Sequence, residues 1–411
     1  MGYLLDVVYW LVAALSAPLW MRKKRGGWSE RFARIEPLPE THKTRVLLHA
    51  VSVGEVNALR PLVPLLEDTH DVVISVTTDT GIERARAIFE GRAHVVRYPL
   101  DFSSCVRRFL DAVRPKGVAL VELEVWPNLV GECRKRNIPV GVINGRLSSR
   151  SFKGYLLARP LLGWTFRRLA FCGVQDETYA KRFRWVGART RAISVTGQMK
   201  WDIADIEIDP DEAEALALKF GIDRSRPLVV GGSTAPGEHQ LLHENVAPDV
   251  QLLCAPRKPE WFEHACDEIG RCMRYSSTDR PILSGDTTNR YLLDTIGKLS
   301  LAYWLADIVV IGRSFERYHG SDPMEPASMG KPVVIGPHHE DFGITVRTLV
   351  EAGAAIVVDP EHLRSELGEL LGDPERRDRM GQRGIECVRD HQGASRRNVE
   401  LIRAALRQSR V

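Results

Sequence analysis

The stretch HAVSVGEVNALRPL, residues 49–62, puts one carboxylate, Glu55, in a glycine turn between an apolar strand and an apolar-periodic helix. In open α/β sheets that turn lies at the carboxyl end of the strand, where ligands bind. Two roles suit a carboxylate there. It can cap the helix and meet the positive end of its dipole, or it can act as a general base. The second half of the chain has its own polar groups at the ends of apolar runs. GGSTAPGEH, residues 231–239, offers backbone N–H groups through Ser233 and Thr234 at a helix start, an arrangement that cradles phosphate. APRKPEWF brings Arg257 and Lys258 to another strand end, where a phosphodiester needs positive charge. IGRSFERYHGSDPMEPASMGKPVVIGP, residues 311–337, supplies small residues at Gly312 and Ser314, then Glu325 at a helix start. A carboxylate so placed can accept both ribose hydroxyls. Three such features in one half of the chain point to a nucleotide site there.

Other chemistries find no support. There is no GxxxxGK[ST] and no GxGxxG, and the one D-x-D, Asp209–Asp211, falls where a linker is expected. The seven cysteines are scattered without a CxxC pair, and their odd number argues against a disulfide framework. Cys266, Cys272 and His264 lack zinc spacing and a fourth ligand, so no metal and no cofactor are expected. A net charge of +4 is too small to imply nucleic acid.

At 411 residues, 44% hydrophobic and 27% charged, the chain reads as a globular protein of two domains. The runs RVLLHAV, DVVISVTT, AHVVRYPL, GVALVEL, IPVGVING, FCGVQD and AISVTG are of strand length, with helical patterns at 57–67, 81–90, 103–113 and 128–136. Acidic and proline residues then interrupt the pattern within 201–222, ahead of a polar helix, and the domain boundary is expected there. The pattern restarts with RPLVVGGST, DVQLLCAPR, RPILSG, ADIVVIG, KPVVIGP and AAIVVD. Such alternation predicts an α/β fold with parallel, doubly wound sheets. The expected layout is a first Rossmann-like domain over 26–203, a linker over 204–219, a second domain over 220–385, and C-terminal helices over 386–411. One of those helices can cross back to the first domain. Two such domains facing a central cleft form the architecture of many sugar-nucleotide enzymes.

The N-terminus, YLLDVVYWLVAALSAPLWM followed by RKKR, holds one charge, Asp6, in 19 residues. Basic residues on the carboxyl flank assign that side to the cytoplasm. Residues 1–25 are therefore expected to be a membrane anchor, either spanning the bilayer or lying in its interface with Trp10 and Trp20 at the headgroups. A buried N-terminal helix is the alternative.

These motifs together resemble the Kdo transferases of lipopolysaccharide synthesis, which move 3-deoxy-D-manno-oct-2-ulosonic acid (Kdo) from CMP-Kdo to the lipid A precursor. The resemblance is collinear over nearly the whole chain. It runs through GGWSERFARI, HAVSVGEVNALRPL, VTTDTGIERA, YPLDFSSCVRRFLDAVRPKGVALVELEVWPNLV, INGRLSSRSFKGY, VTGQMKWD, GSTAPGEH, PRKPEWF and DPMEPASMGKPVVIGP. It implies an inverting GT-B glycosyltransferase without an obligatory metal, held at the cytoplasmic face of the inner membrane, acting on CMP-Kdo and lipid IVA. By the same likeness Glu55 is the catalytic base, Glu122 positions the acceptor or the base, and Glu124 is either a further site carboxylate or structural. Arg146, Arg150 and Lys200 meet phosphates of the lipid or the sugar carboxylate. Ser233, Thr234, Arg257, Lys258, Gly312, Ser314, Asp322 and Glu325 hold the donor. Three departures fall in the donor half: Ala235 replaces a histidine, Ser321–Asp322 replaces His–Asn, and Lys298 replaces a glutamate. They leave two alternatives: a GT-B transferase using another nucleotide sugar, or a catalytically inactive lipid-binding relative.

Overall fold

The computed structural model describes residues 6, 7, 9, 26–204, 208–277 and 289–408. The chain forms two compact units, Met1–Ile203 together with His391–Val411, and Ala204–Asp390. Each is built on a seven-stranded parallel sheet.

In the first unit the strands are β1 (Thr44–Ala50), β2 (His70–Val76), β3 (His94–Arg97), β4 (Gly117–Val121), β5 (Val140–Gly145), β6 (Phe171–Val174) and β7 (Ile193–Val195). Their order is β3-β2-β1-β4-β5-β6-β7, so the winding reverses between β1 and β4. The strands are apolar on both faces because helices cover both faces of the sheet. Leu47, Leu120 and Val142 point into a layer with Phe109, Leu129 and Phe166. Val46, Leu48, Ala119 and Ile143 point the other way, onto Phe89, Val399 and Ile402. The last helix, Ala394–Gln408, supplies part of that second layer. Its start is pinned by Asp202, whose carboxylate accepts from the N–H groups of Gly393 and Ser395 at 2.6 Å each.

In the second unit the strands are β8 (Leu228–Thr234), β9 (Gln251–Pro256), β10 (Met273–Arg274), β11 (Arg290–Leu292), β12 (Ile308–Ile311), β13 (Val333–Ile335) and β14 (Ala355–Val357). The order β10-β11-β9-β8-β12-β13-β14 reverses between β8 and β12. In open α/β sheets such a reversal opens a crevice at the strands' carboxyl ends, and it frames the candidate site in each unit.

Two boundaries differ from the sequence reading. The expected linker 204–219 is largely the helix Pro210–Phe220, which buries Ala213, Leu216 and Ala217 and belongs to the second unit. Asp209 caps it by accepting from Asp211 N–H at 3.0 Å, so the acidic stretch is a helix start. The expected break at 385/386 falls inside the helix Pro374–His391; the second unit continues to Asp390, and the turn comes at Gly393.

Of the expected anchor 1–25, all but Asp6, Val7 and Tyr9 lies outside the described residues, as does the expected strand RPILSG. Asp6 accepts from Ser103 N–H at 2.9 Å and from the Asn128 amide at 3.0 Å. Tyr9 donates to Asp101 at 3.2 Å. Among the described residues no helix is long and apolar enough to cross a membrane.

Candidate active site

Glu55 lies in the first turn of the helix Val53–Ala58, directly after β1. Ser52 is the N-cap, its hydroxyl accepting from Glu55 N–H at 3.4 Å. The carboxylate reaches back, Oε2 accepting from Val51 N–H at 2.8 Å and Oε1 from the Ser52 hydroxyl at 3.0 Å. Geometrically this is a capping arrangement. It does not exhaust the chemistry of the group. Burial pushes the Glu55 carboxyl up to about 7, against the Val51 N–H, and the charges of Glu122 and Glu124 add to the rise. A carboxyl poised there can take a proton at neutral pH. His49, at the start of the motif, is fully buried, and burial depresses its imidazole to about 3. It stays neutral, with Nδ1 3.0 Å from the Ser75 hydroxyl.

Glu122 and Glu124 follow β4. Glu122 holds a left-handed backbone, φ 58°, while its N–H still donates to Ile143 O at 2.9 Å. On the neighbouring strand Asn144 is left-handed too, φ 51°, and its side-chain oxygen accepts from Met199 N–H at 3.1 Å. Strained non-glycine backbone of this kind costs about 1–3 kcal/mol per residue and clusters at functional sites. The Asn144 bond fastens the turn Met199–Ala204, which carries Lys200, to the carboxyl end of β5. Burial raises the carboxyl of Glu122, and the guanidinium of Arg146 lowers it. Burial also raises Glu124. The structure thus brings Glu55, Glu122, Glu124 and Arg146 into one electrostatic cluster at the ends of β1, β4 and β5. Arg150 is exposed in the first turn of the helix Ser149–Leu157, which Ser148 caps.

The second unit repeats the pattern. Ser233, at the end of β8, and Arg313, just past β12, are both left-handed, with φ 56° and 61°. Between them the backbones nearly touch, and a Cβ on Gly312 would collide with the main chain of Ser233 and Thr234. Gly312→Ala should therefore lower stability by about 1–3 kcal/mol, the usual cost of overpacking; a melting temperature equal to wild type would show that the loops are not so tightly opposed.

The residue that shapes these loops is Glu238, which the sequence reading passed over. Its buried carboxylate accepts from the N–H groups of Ala235 at 2.9 Å, Arg313 at 2.6 Å, Ser314 at 2.8 Å and Phe315 at 2.9 Å. Tyr303 is the second omission. Burial raises its phenol far above the usual value; Glu325 and Asp322 add to the rise, and Arg257 and Ser233 oppose it. Four of the expected donor residues, Ser233, Arg257, Asp322 and Glu325, thus share the electrostatic environment of one buried phenol.

The other expected donor residues are distributed differently. Ser314 uses its hydroxyl internally, donating to Ile311 O at 2.5 Å and accepting from Gly336 N–H at 2.8 Å. Thr234 is fully buried, and its Oγ1, like Ser321 Oγ, has no hydrogen-bond partner among the described residues. Those are polar atoms that a ligand can satisfy. Lys258 is exposed, 3.5 Å from Glu260 and 4.8 Å above the Trp261 ring. Asp322 accepts from Met324 N–H at 3.2 Å, at the start of the helix Met324–Ser328 that carries Glu325.

Comparison with known proteins adds an independent line. Residues 26–203 match the family described as 3-Deoxy-D-manno-octulosonic-acid transferase (kdotransferase). The 3-deoxy-D-manno-octulosonic acid transferase of Haemophilus influenzae is 31% identical over 376 residues, covering 88% of this chain and 87% of that protein. That of Bordetella pertussis is 31% identical over 432 residues, covering 96% and 98%. The chain belongs to the Kdo transferase family. Among solved structures, a glycosyltransferase from Rickettsia africae superposes with a TM-score of 0.58 at 13% identity, over 89% of this chain and 99% of that one. That likeness concerns the fold. This family member is a glycosyltransferase with two Rossmann-like domains of GT-B type.

Proposed function

We propose that the chain transfers Kdo from CMP-Kdo to a lipid A precursor, lipid IVA, with inversion at the anomeric carbon. What carries the reading is Glu55, a carboxyl raised to about 7 by burial within its full motif, in a chain 31% identical to named Kdo transferases over nearly its whole length. In this mechanism Glu55 takes the proton from the acceptor hydroxyl, whose oxygen attacks the anomeric carbon as CMP leaves. A positioned carboxylate contributes about 10²–10⁴-fold to such a step. Glu122 orients the acceptor or the base. Arg146, Arg150 and Lys200 meet the acceptor phosphates, and Arg257 and Lys258 meet the phosphodiester of the leaving nucleotide. Exposed Leu157 and Leu161, close in sequence to the exposed Lys153 and Arg159, favour work at an anionic lipid surface. With the basic flank of the N-terminal segment, they support a place on the cytoplasmic side of the inner membrane.

A second reading, a different nucleotide sugar, is favoured by one observation. Asp322 accepts from Met324 N–H at the start of the helix whose first turn carries Glu325, so two carboxylates rather than one stand at that helix start. Calorimetry with CMP and UDP separates the two. The proposal expects CMP to bind at least about tenfold more tightly, one hydrogen bond's worth of discrimination; preference for UDP would overturn the assignment of the donor. On the same titration Glu325→Gln should weaken CMP about 10–100-fold, because charged hydrogen bonds contribute about 1.5–3 kcal/mol. Unchanged affinity would remove Glu325 from the nucleotide site.

A further inference from the structure

The sequence associates His264 with Cys266 and Cys272, a poor metal set. The fold associates it with different residues. His264 and Glu268 are four apart on the helix Phe262–Ile269 and face the same way. Cys266, between them, points elsewhere, its Sγ 3.8 Å from that of Cys272. His239, from the helix Glu238–Asn245, meets them from the other side. Its Nδ1 is 2.7 Å from Glu268 Oε2, and His264 Nδ1 is 3.2 Å from Glu268 Oε1. One ligand atom from each of the three lies within 4.8 Å of the others.

We propose that His239, His264 and Glu268 bind a divalent transition-metal ion of the zinc type. Two imidazoles and one carboxylate suit zinc, cobalt or nickel rather than calcium or magnesium. Three protein ligands leave a fourth position for water. The site is graded from inside to outside: the His239 side chain is 0% exposed, Glu268 13% and His264 56%, so an ion can enter from solvent and still rest on buried ligands. Gly237 N–H donates to Glu268 Oε1 at 2.7 Å, orienting the carboxylate as outer-shell donors do at metal centres.

The location gives the ion a consequence. Gly237 precedes Glu238, the carboxylate that gathers the loops after β8 and β12. An ion bridging the two helices would fix the start of Glu238–Asn245 and, through it, the loop GGSTAPG. The inference goes beyond the transfer reaction, and its test does not depend on it.

The test uses the full chain with any affinity tag removed, titrated with Zn²⁺ alone by calorimetry and followed by thermal melting. One equivalent should bind and raise the melting temperature. His264→Ala, at an exposed position, should fold normally and weaken binding at least about tenfold, and Glu268→Gln should do the same. Absence of saturable binding by a folded wild-type protein would overturn the site. So would equal affinity in wild type and both variants, which would show that the ion binds elsewhere.

Discussion

Glu55→Gln should cut turnover by at least about 100-fold while leaving CMP affinity unchanged. The amide keeps the shape, can still accept from Val51 N–H, and can donate to the Ser52 hydroxyl, the two groups that hold the carboxylate now. It cannot take a proton. The two roles open to Glu55 predict opposite effects on stability. A lost cap costs about 0.5–2 kcal/mol. A carboxyl raised by burial from 4.5 to about 7 behaves otherwise. The folded state then binds the proton more tightly than the unfolded state. The contribution of the group is fully present below about pH 4.5 and is lost as pH rises through 7. A neutral amide does not suffer that loss. At pH 8 Glu55→Gln should therefore melt no lower than wild type, and the gap should shift in its favour between pH 5 and pH 8. Wild-type turnover should in turn rise with pH along a limb centred near 7. A variant that melts lower at pH 8 and keeps wild-type turnover would make Glu55 a cap and nothing more.

Glu238→Ala should produce the largest loss of stability, on the order of 3–5 kcal/mol. It strands the N–H groups of Ala235, Arg313, Ser314 and Phe315, and each buried donor left unsatisfied costs about 1–3 kcal/mol, less whatever water entering the void recovers. The conservative variant is diagnostic. In Glu238→Gln one oxygen becomes an NH₂ group that faces two backbone donors, so the same shape should not restore stability. Denaturant unfolding and CMP calorimetry on both variants would read this out. If either variant is as stable as wild type and binds CMP equally well, Glu238 does not organise the nucleotide loops.

The two parallel sheets were legible in the sequence because buried strands read as continuous apolar runs, and most strands here are buried on both faces. The carboxylate after β1 was legible because turn chemistry is local: a serine cap, a glycine and a glutamate within four positions. What escaped depends on contacts between distant strand ends. Glu238 resembles any first-turn acid until the loop after β12 folds onto it, 75 residues away in sequence. Tyr303 lies in an apolar helix, and its electrostatic link to Ser233, Asp322, Glu325 and Arg257 exists only in the folded chain. Ser314 suggested a small residue making room for a ligand, yet its hydroxyl closes the turn between Ile311 and Gly336. The short strands β10, Met273–Arg274, and β11, Arg290–Leu292, each include an arginine and present no unbroken apolar run. The metal-type cluster was invisible because its ligands come from two helices, with the nearer cysteines on the wrong face.

The most direct test is the reaction itself. The purified full chain would be incubated with CMP-Kdo and a tetra-acylated lipid A precursor, and the lipid product read by mass spectrometry. The expected product is a lipid heavier by one or more Kdo units, formed in step with CMP release and absent with Glu55→Gln. An unchanged lipid with CMP-Kdo, alongside transfer from a different nucleotide sugar, would contradict the proposed function.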